Sequence, residues 1–224
     1  MSNLRDAIVR MALRRPYLYL LVTLVISIVL MEVLVEIAEH TFIKPALQQL
    51  ELQFIAYVQQ FVTPPLTAEV MLVTASGSST FYLLASALVC CWYLYSRQKD
   101  RLYLYLVCLC GGGILNQVLK RIFERVRPDI FPVIAESGYS FPSGHAMGAI
   151  CFYGILAYFA GLGLRSKPLR WGLVAAAGIY ILLIGLSRVY LGVHYPTDIL
   201  AGYAAGATWL FFCITLHRIF RKRY

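Results

Sequence analysis

Apolar runs of about twenty residues recur along this chain, and that is the length an α-helix needs to cross the hydrocarbon core of a bilayer. They lie near Tyr17–Ala38, Glu69–Tyr95, Leu102–Arg121, Ser143–Gly163, Leu169–Ser187 and Thr197–Ile219. Hydrophobic residues make up 60% of the 224 positions and charged residues only 14%, against about a quarter charged in soluble domains. So little polar surface cannot cover a water-soluble globule. Inside lipid every backbone N–H and C=O must find a partner within the protein, so long apolar runs become helices. The expected fold is all-α: one integral-membrane domain over residues 1–224, built as a bundle of six transmembrane helices.

The basic residues give the runs a direction. Fourteen of the twenty Lys and Arg fall in four places: Arg5, Arg10, Arg14 and Arg15; Arg97, Lys99 and Arg101; Arg165, Lys167 and Arg170; Arg218, Arg221, Lys222 and Arg223. Six spans put all four on one side, which the positive-inside bias makes cytoplasmic, together with both termini. The net charge of +9 is thus a topology signal. It is not a basic stripe interleaved with aromatics, and no nucleic-acid partner is expected. The first apolar run continues past the length of a signal-peptide core and is read as a retained span.

Between the first two spans, Phe42 to Val62 alternates apolar and polar residues at roughly helical spacing before Pro64-Pro65. That pattern predicts an amphipathic helix at the bilayer surface, serving either as a lipid gate or as a plain cap. Glu32, Glu36 and Glu39 share one helical face and are read as a polar stripe. The six cysteines all fall in apolar runs and are read as small buried hydrophobes, with no disulfide framework. Gly111-Gly112-Gly113 and Gly144/Gly148 are read as close helix contacts.

The other three connections carry the remaining six basic residues, and with them three clusters that bear chemistry. Charged groups in a hydrophobic chain are expensive and default to a functional reading. Lys120 and Arg127, seven apart with Pro128 behind them, share one helical face if the helix runs to about Val126. Arg121 and Arg125 then fall on other faces, where surface or headgroup contacts are expected. Pro142-Ser143-Gly144-His145 opens the fourth span. Ser143 is a natural N-cap, Gly144 lets a ligand approach the backbone, and the helix start is a ready anion site. Arg188 closes the fifth span, and His194 and Asp198 follow. Asp198 can fix the tautomer of His194 and leave its other nitrogen free to attack. Three cations, a helix N-terminus and two histidines on one face suit a bound phosphate.

In order and spacing these clusters resemble the three motifs of the type 2 phosphatidic acid phosphatase superfamily. That group holds integral-membrane lipid phosphatases and, more distantly, soluble acid phosphatases and vanadium haloperoxidases. The motif core covers about 102–219, residues 1–65 add little, and Gly138-Tyr139-Ser140-Phe141 is similar to the bacterial phosphatidylglycerophosphate phosphatase B type. The resemblance implies a metal-independent, cofactor-free lipid phosphatase at the outer face of the cell membrane. In that scheme His194 is the nucleophile and forms a phosphohistidine, Asp198 orients it, and His145 is the general acid. Lys120, Arg127 and Arg188, with Ser143 and the backbone of Gly144, hold the phosphoryl oxygens. The implied partners are membrane lipids, with a lipid phosphate such as phosphatidylglycerophosphate or phosphatidate as substrate. Undecaprenyl pyrophosphate is the alternative substrate. A lipid phosphotransferase and a non-catalytic lipid-binding protein are the rivals, and the complete His194/Asp198/His145 set disfavours the binder.

Overall fold

The computed structural model describes residues 16–43, 45–129 and 132–221. Arg5, Arg10, Arg14, Arg15, Lys44, Lys222 and Arg223 lie outside them. Among the described residues the chain is helical and contains no strand. The helices are α1 (Pro16–Ile43), α2 (Pro45–Gln59), α3 (Pro64–Ala75), α4 (Ser79–Tyr95), α5 (Lys99–Phe123), α6 (Gly144–Gly163), α7 (Lys167–Tyr190) and α8 (Pro196–Arg221).

Helices α1, α5, α6, α7 and α8 are each long and apolar enough to cross a membrane, and α3 with α4, taken together as one bent pair, makes a sixth candidate crossing. That sixth crossing is not the continuous helix expected over Glu69–Tyr95. It bends by 49° between Ala75 and Ser79. Ser78 caps α4 by accepting from the N–H of Phe81, and Ser76 closes α3. Polar neighbours hold the elbow: the Tyr153 hydroxyl donates to the Ser76 carbonyl at 3.0 Å, and Ser76 Oγ meets the Tyr180 hydroxyl at 2.7 Å. Tyr153 comes from a wider π-helical turn inside α6, Ile150–Gly154, of the kind that recurs at functional sites.

The apolar faces sort by what they touch. Around Tyr105, Cys108, Cys151, Phe152, Ile155 and Cys213 a core joins α5, α6 and α8. Met147, Phe141, Ala201 and Ala205 pack against Leu34 and Ala38 of α1. Leu24, Leu83, Leu88, Trp92 and Trp171 are exposed, as a lipid-facing surface requires. Gly111, Gly112 and Gly148 seat against Trp209, Cys151 and Tyr82, whereas Gly113 faces open space. The cysteines divide: Cys108, Cys151 and Cys213 are buried, but Cys91 and Cys110 are exposed, and all six are free thiols.

The amphipathic segment is a helix, α2, and it packs inward as well as outward. Ile55 is buried against Ala146, Val189, Tyr195 and Ile199, which places α2 as a cap over α6, α7 and α8. Leu50, Phe54 and Tyr57 remain exposed on its other side. The stripe of Glu32, Glu36 and Glu39 is exposed, with Glu36 paired to His40 at 3.8 Å.

Candidate active site

Helix α5 stops earlier than its charge pattern suggests. It ends at Phe123, and Glu124 takes a left-handed conformation (φ 45) with its N–H bonded to the Lys120 carbonyl. The chain beyond is not helical, so Lys120 and Arg127 do not share a helical face. The loop, not helical periodicity, brings Arg127 to the site. Arg127 donates from Nε to the Gly138 carbonyl at 3.0 Å and from Nη1 to the Val193 carbonyl at 2.8 Å. The early stop also reverses the reading of Arg125. It is not a surface or headgroup contact; it turns inward and is buried.

A tight reversal joins α7 to α8. Gly192 sits at φ 72, a region open to glycine but costly for residues with a Cβ. The turn therefore delivers Arg188, His194 and Asp198 to one place. His194 Nδ1 lies 3.2 Å from Asp198 Oδ2, and Arg127 Nη1 lies 3.1 Å from His194 Nε2. A guanidinium can only donate, so Nε2 presents its lone pair and Nδ1 carries the proton toward Asp198. Burial holds His194 well below the ordinary histidine range, at about 3; Asp198 opposes that shift, and Arg127 and Lys120 reinforce it. The imidazole is neutral at physiological pH.

Asp198 is fully enclosed and uses both oxygens. Oδ2 also accepts from the Tyr195 N–H at 2.9 Å, and Oδ1 accepts from Arg125 Nη1 at 2.6 Å. Arg125 lies 3.8 Å above the Tyr195 ring, and its Nη2 donates to Glu51 Oε2 at 2.6 Å. Glu51 Oε1 in turn accepts from the backbone N–H and the hydroxyl of Thr197, at 2.9 and 2.6 Å. The sequence reading missed both Glu51 and Arg125. A signal existed, since Glu51 is the sole charged residue between Lys44 and Glu69.

The remaining cations converge nearby. Arg188 Nη1 donates to Thr74 Oγ1 at 2.7 Å, and its Nη2 pairs with Glu136 Oε2. Glu136 also takes Arg127 Nη2 at 3.1 Å. A carboxylate from the 132–143 connection therefore bridges two of the cations, and Arg188 Nε is left without a partner. Lys120 Nζ donates to the Tyr139 carbonyl. Ser143 is buried and caps α6, its Oγ accepting from the Ala146 N–H at 3.4 Å, while its own N–H donates to the Asp198 carbonyl at 2.9 Å. That last bond ties the start of α6, and so His145, to the start of α8.

The elbow between α3 and α4 touches the same place. A Cβ on Gly77 would lie 3.0 Å from His145 Cδ2 and 2.5 Å from Ile184 Cγ2, so only glycine fits there without displacement. Lys120, Arg127, Glu136, Gly144 and His145 line one end of a cavity of about 600 Å³. It continues past Tyr82, Leu83, Ser86, Leu109 and Gly113 between α4 and α5. Leu83, on that wall, is exposed. The cavity is polar at one end and apolar at the other.

Comparison with known proteins places the chain in a family by sequence and by fold. The PAP2 superfamily profile matches residues 101–222. Phosphatidylglycerophosphatase B of Bacillus subtilis is 40% identical over 156 residues, covering 68% of this chain and 76% of that protein. Undecaprenyl-diphosphatase BcrC of the same species is 30% identical over 124 residues, covering 52% of this chain and 58% of that protein. A crystal structure of a transmembrane PAP2 type phosphatidylglycerolphosphate phosphatase from Bacillus subtilis superposes with a TM-score of 0.79 at 31% identity. It covers 88% of this chain and 96% of that one. With its helical membrane bundle and the order of its three clusters, the chain belongs to the PAP2 superfamily.

Proposed function

We propose that this membrane lipid phosphatase acts through His194 as a nucleophile, with phosphatidylglycerophosphate as the leading substrate. One observation carries the mechanism: a neutral His194, protonated at Nδ1 toward Asp198, directs the Nε2 lone pair at the guanidinium of an anion cradle. In the first step Nε2 forms a bond to phosphorus as the bond from phosphorus to the lipid oxygen breaks. His145 gives that oxygen its proton. In the second step water attacks phosphorus and gives a proton to His145, the P–N bond breaks, and inorganic phosphate leaves.

Phosphoryl transfer depends mainly on positioning and charge neutralisation. Lys120, Arg127, Arg188 and the N-terminus of α6, reached through Ser143 and Gly144, supply both. The unpartnered Arg188 Nε is a spare donor for an entering phosphoryl oxygen. Glu136, Asp198 and Glu51 are already engaged by arginines, so the reading is metal-independent. Entering substrate displaces the Glu136 carboxylate from Arg127 and Arg188. The cavity between α4 and α5 gives the acyl chains a lateral path from the bilayer. The basic clusters support cytoplasmic termini and a catalytic end on the outer face.

The likeness to phosphatidylglycerophosphatase B favours phosphatidylglycerophosphate, and the weaker likeness to undecaprenyl-diphosphatase keeps a polyprenyl diphosphate as the second reading. The test is phosphate release by the purified protein in detergent from phosphatidylglycerophosphate, phosphatidate and undecaprenyl pyrophosphate. Release is expected to be fastest from phosphatidylglycerophosphate, blocked by orthovanadate, unaffected by EDTA and lost in His194→Ala. Loss of activity with EDTA, or full activity in His194→Ala, refutes the mechanism.

A further inference from the structure

Behind the His194–Asp198 pair stands a second ion pair that the reaction as described does not use. Arg125 presses on the oxygen of Asp198 that His194 leaves free, at 2.6 Å, and Glu51 meets the far side of Arg125, also at 2.6 Å. All three side chains are buried, with 0% exposure for Asp198, 4% for Glu51 and 7% for Arg125. At such burial, charges act on one another with little screening by solvent. Thr197 joins both ends, donating to Glu51 and accepting from Arg125 Nη1 at 2.8 Å. Glu51 is the one member carried by α2, outside the span of the family match.

The signs decide what Glu51 does. When Nε2 bonds to phosphorus, the imidazole ring, protonated at Nδ1, becomes cationic. Asp198 faces that charge and stabilises it. Arg125 alone cancels Asp198, leaving a pair of zero net charge beside a developing cation. Glu51 restores the balance: Glu51, Arg125 and Asp198 together carry one net negative charge. The same pair of bonds also fixes Asp198 Oδ1, so Oδ2 stays aimed at His194.

We infer that Glu51 is a positioning residue for the phosphatase reaction: it neutralises Arg125 so that Asp198 keeps its full field on His194. Through it the surface helix α2 becomes part of the catalytic apparatus as well as a cap. Neither a gate nor an inert cap requires a buried carboxylate bonded to Arg125, the first arginine beyond the end of α5. The inference rests on the reading of His194 as the nucleophile.

The test uses the full-length protein in detergent, with kcat, KM and the single-turnover rate of phosphoenzyme formation from labelled phosphatidylglycerophosphate. Glu51→Gln keeps the side chain's shape and removes its charge. Preorganised electrostatic groups in contact with the reacting atoms are worth about 10²–10³ in rate. For a charge two links removed, the expected loss is about tenfold to a hundredfold in kcat and in phosphoenzyme formation, with KM within threefold. Glu51→Asp recovers part of the loss. Glu51→Gln combined with Arg125→Met removes both charges, returns the net charge beside His194 to minus one, and is expected to be faster than Glu51→Gln alone. Orthovanadate binding and the thermal midpoint identify variants that have lost their fold. An unchanged kcat in folded Glu51→Gln overturns the inference, as does a double variant slower than Glu51→Gln. If the wild-type protein forms no acid-labile phosphoenzyme, the nucleophile reading itself fails. If it forms one at the same rate in wild type and Glu51→Gln, only the role of Glu51 fails.

Discussion

Gly77→Ala is the sharpest test of whether the broken second crossing positions His145, the proposed general acid. The new methyl would stand 3.0 Å from His145 Cδ2, 2.5 Å from Ile184 Cγ2 and 3.3 Å from the Thr74 carbonyl oxygen. Carbon contacts are comfortable at about 3.5–4.0 Å, so the imidazole must withdraw by roughly 0.5–1 Å. The Ile184 methyl is the end of a flexible side chain and can turn aside. The carbonyl is fixed in the elbow, so the ring takes most of the displacement. A misplacement of about 1 Å costs roughly a hundredfold in rate, which gives an expected loss of about tenfold to a hundredfold in kcat. Overpacking costs about 1–3 kcal/mol of stability, too little to prevent purification of a well-folded protein. The assay is phosphate release at saturating lipid in detergent, with the thermal midpoint measured alongside. Gly172→Ala, in α7 with nothing within 4 Å, is the control and is expected to match wild type. A folded Gly77→Ala protein with kcat within twofold of wild type refutes the claim that the elbow sets His145.

Burial of neutral His194 makes folding sensitive to acid. With its titration held at about 3 in the folded protein and the ordinary value near 6.5 when unfolded, the unfolded chain takes up a proton first as pH falls. The contribution of His194 is complete above pH 6.5 and is lost at about 1.4 kcal/mol per unit below it; a His194→Asn protein whose thermal midpoint falls as steeply from pH 6.5 to 5 refutes this. Glu136→Gln replaces the carboxylate that bridges Arg127 and Arg188 with a neutral amide, so orthovanadate is expected to inhibit about tenfold more tightly, equivalent to about 1.4 kcal/mol; an unchanged inhibition constant shows that Glu136 does not compete for the cradle. Arg125→Met leaves Glu51 and Asp198 buried without their cation and is expected to cost about 3–5 kcal/mol, read from denaturant unfolding.

The crossings were legible because lipid enforces helices on every long apolar run, and the observed bounds of α5, α7 and α8 exceed the expected ones by only a few residues. The motif histidines and cations were legible because ionisable groups are rare in such a chain. What hydropathy could not show was local. Nothing in a hydropathy pattern distinguishes a helix that runs to Val126 from one that stops at a left-handed Glu124, and that single residue turned Arg125 from surface to interior. The partner of Arg125 in α2 lies 74 positions away, so the pair has no period and no spacing to announce it. The elbow was hidden for a different reason: the polar run Ser76-Gly77-Ser78-Ser79-Thr80 is short beside the apolar stretches around it, so the average over a span conceals it.

An interrupted crossing leaves carbonyls and amides with no helical partner, and hydrocarbon exacts several kcal/mol for each one left bare. Here the Tyr153 hydroxyl donates to the Ser76 carbonyl that the missing turn leaves open, while Tyr180, from another helix, holds the Ser76 hydroxyl that itself donates to the Val73 carbonyl. The kink is therefore a property of three segments together, and no one of them could straighten without abandoning the others' hydroxyls. A lesion far from the chemistry, such as loss of either phenol, would be felt first as drift of His145, and only later as unfolding.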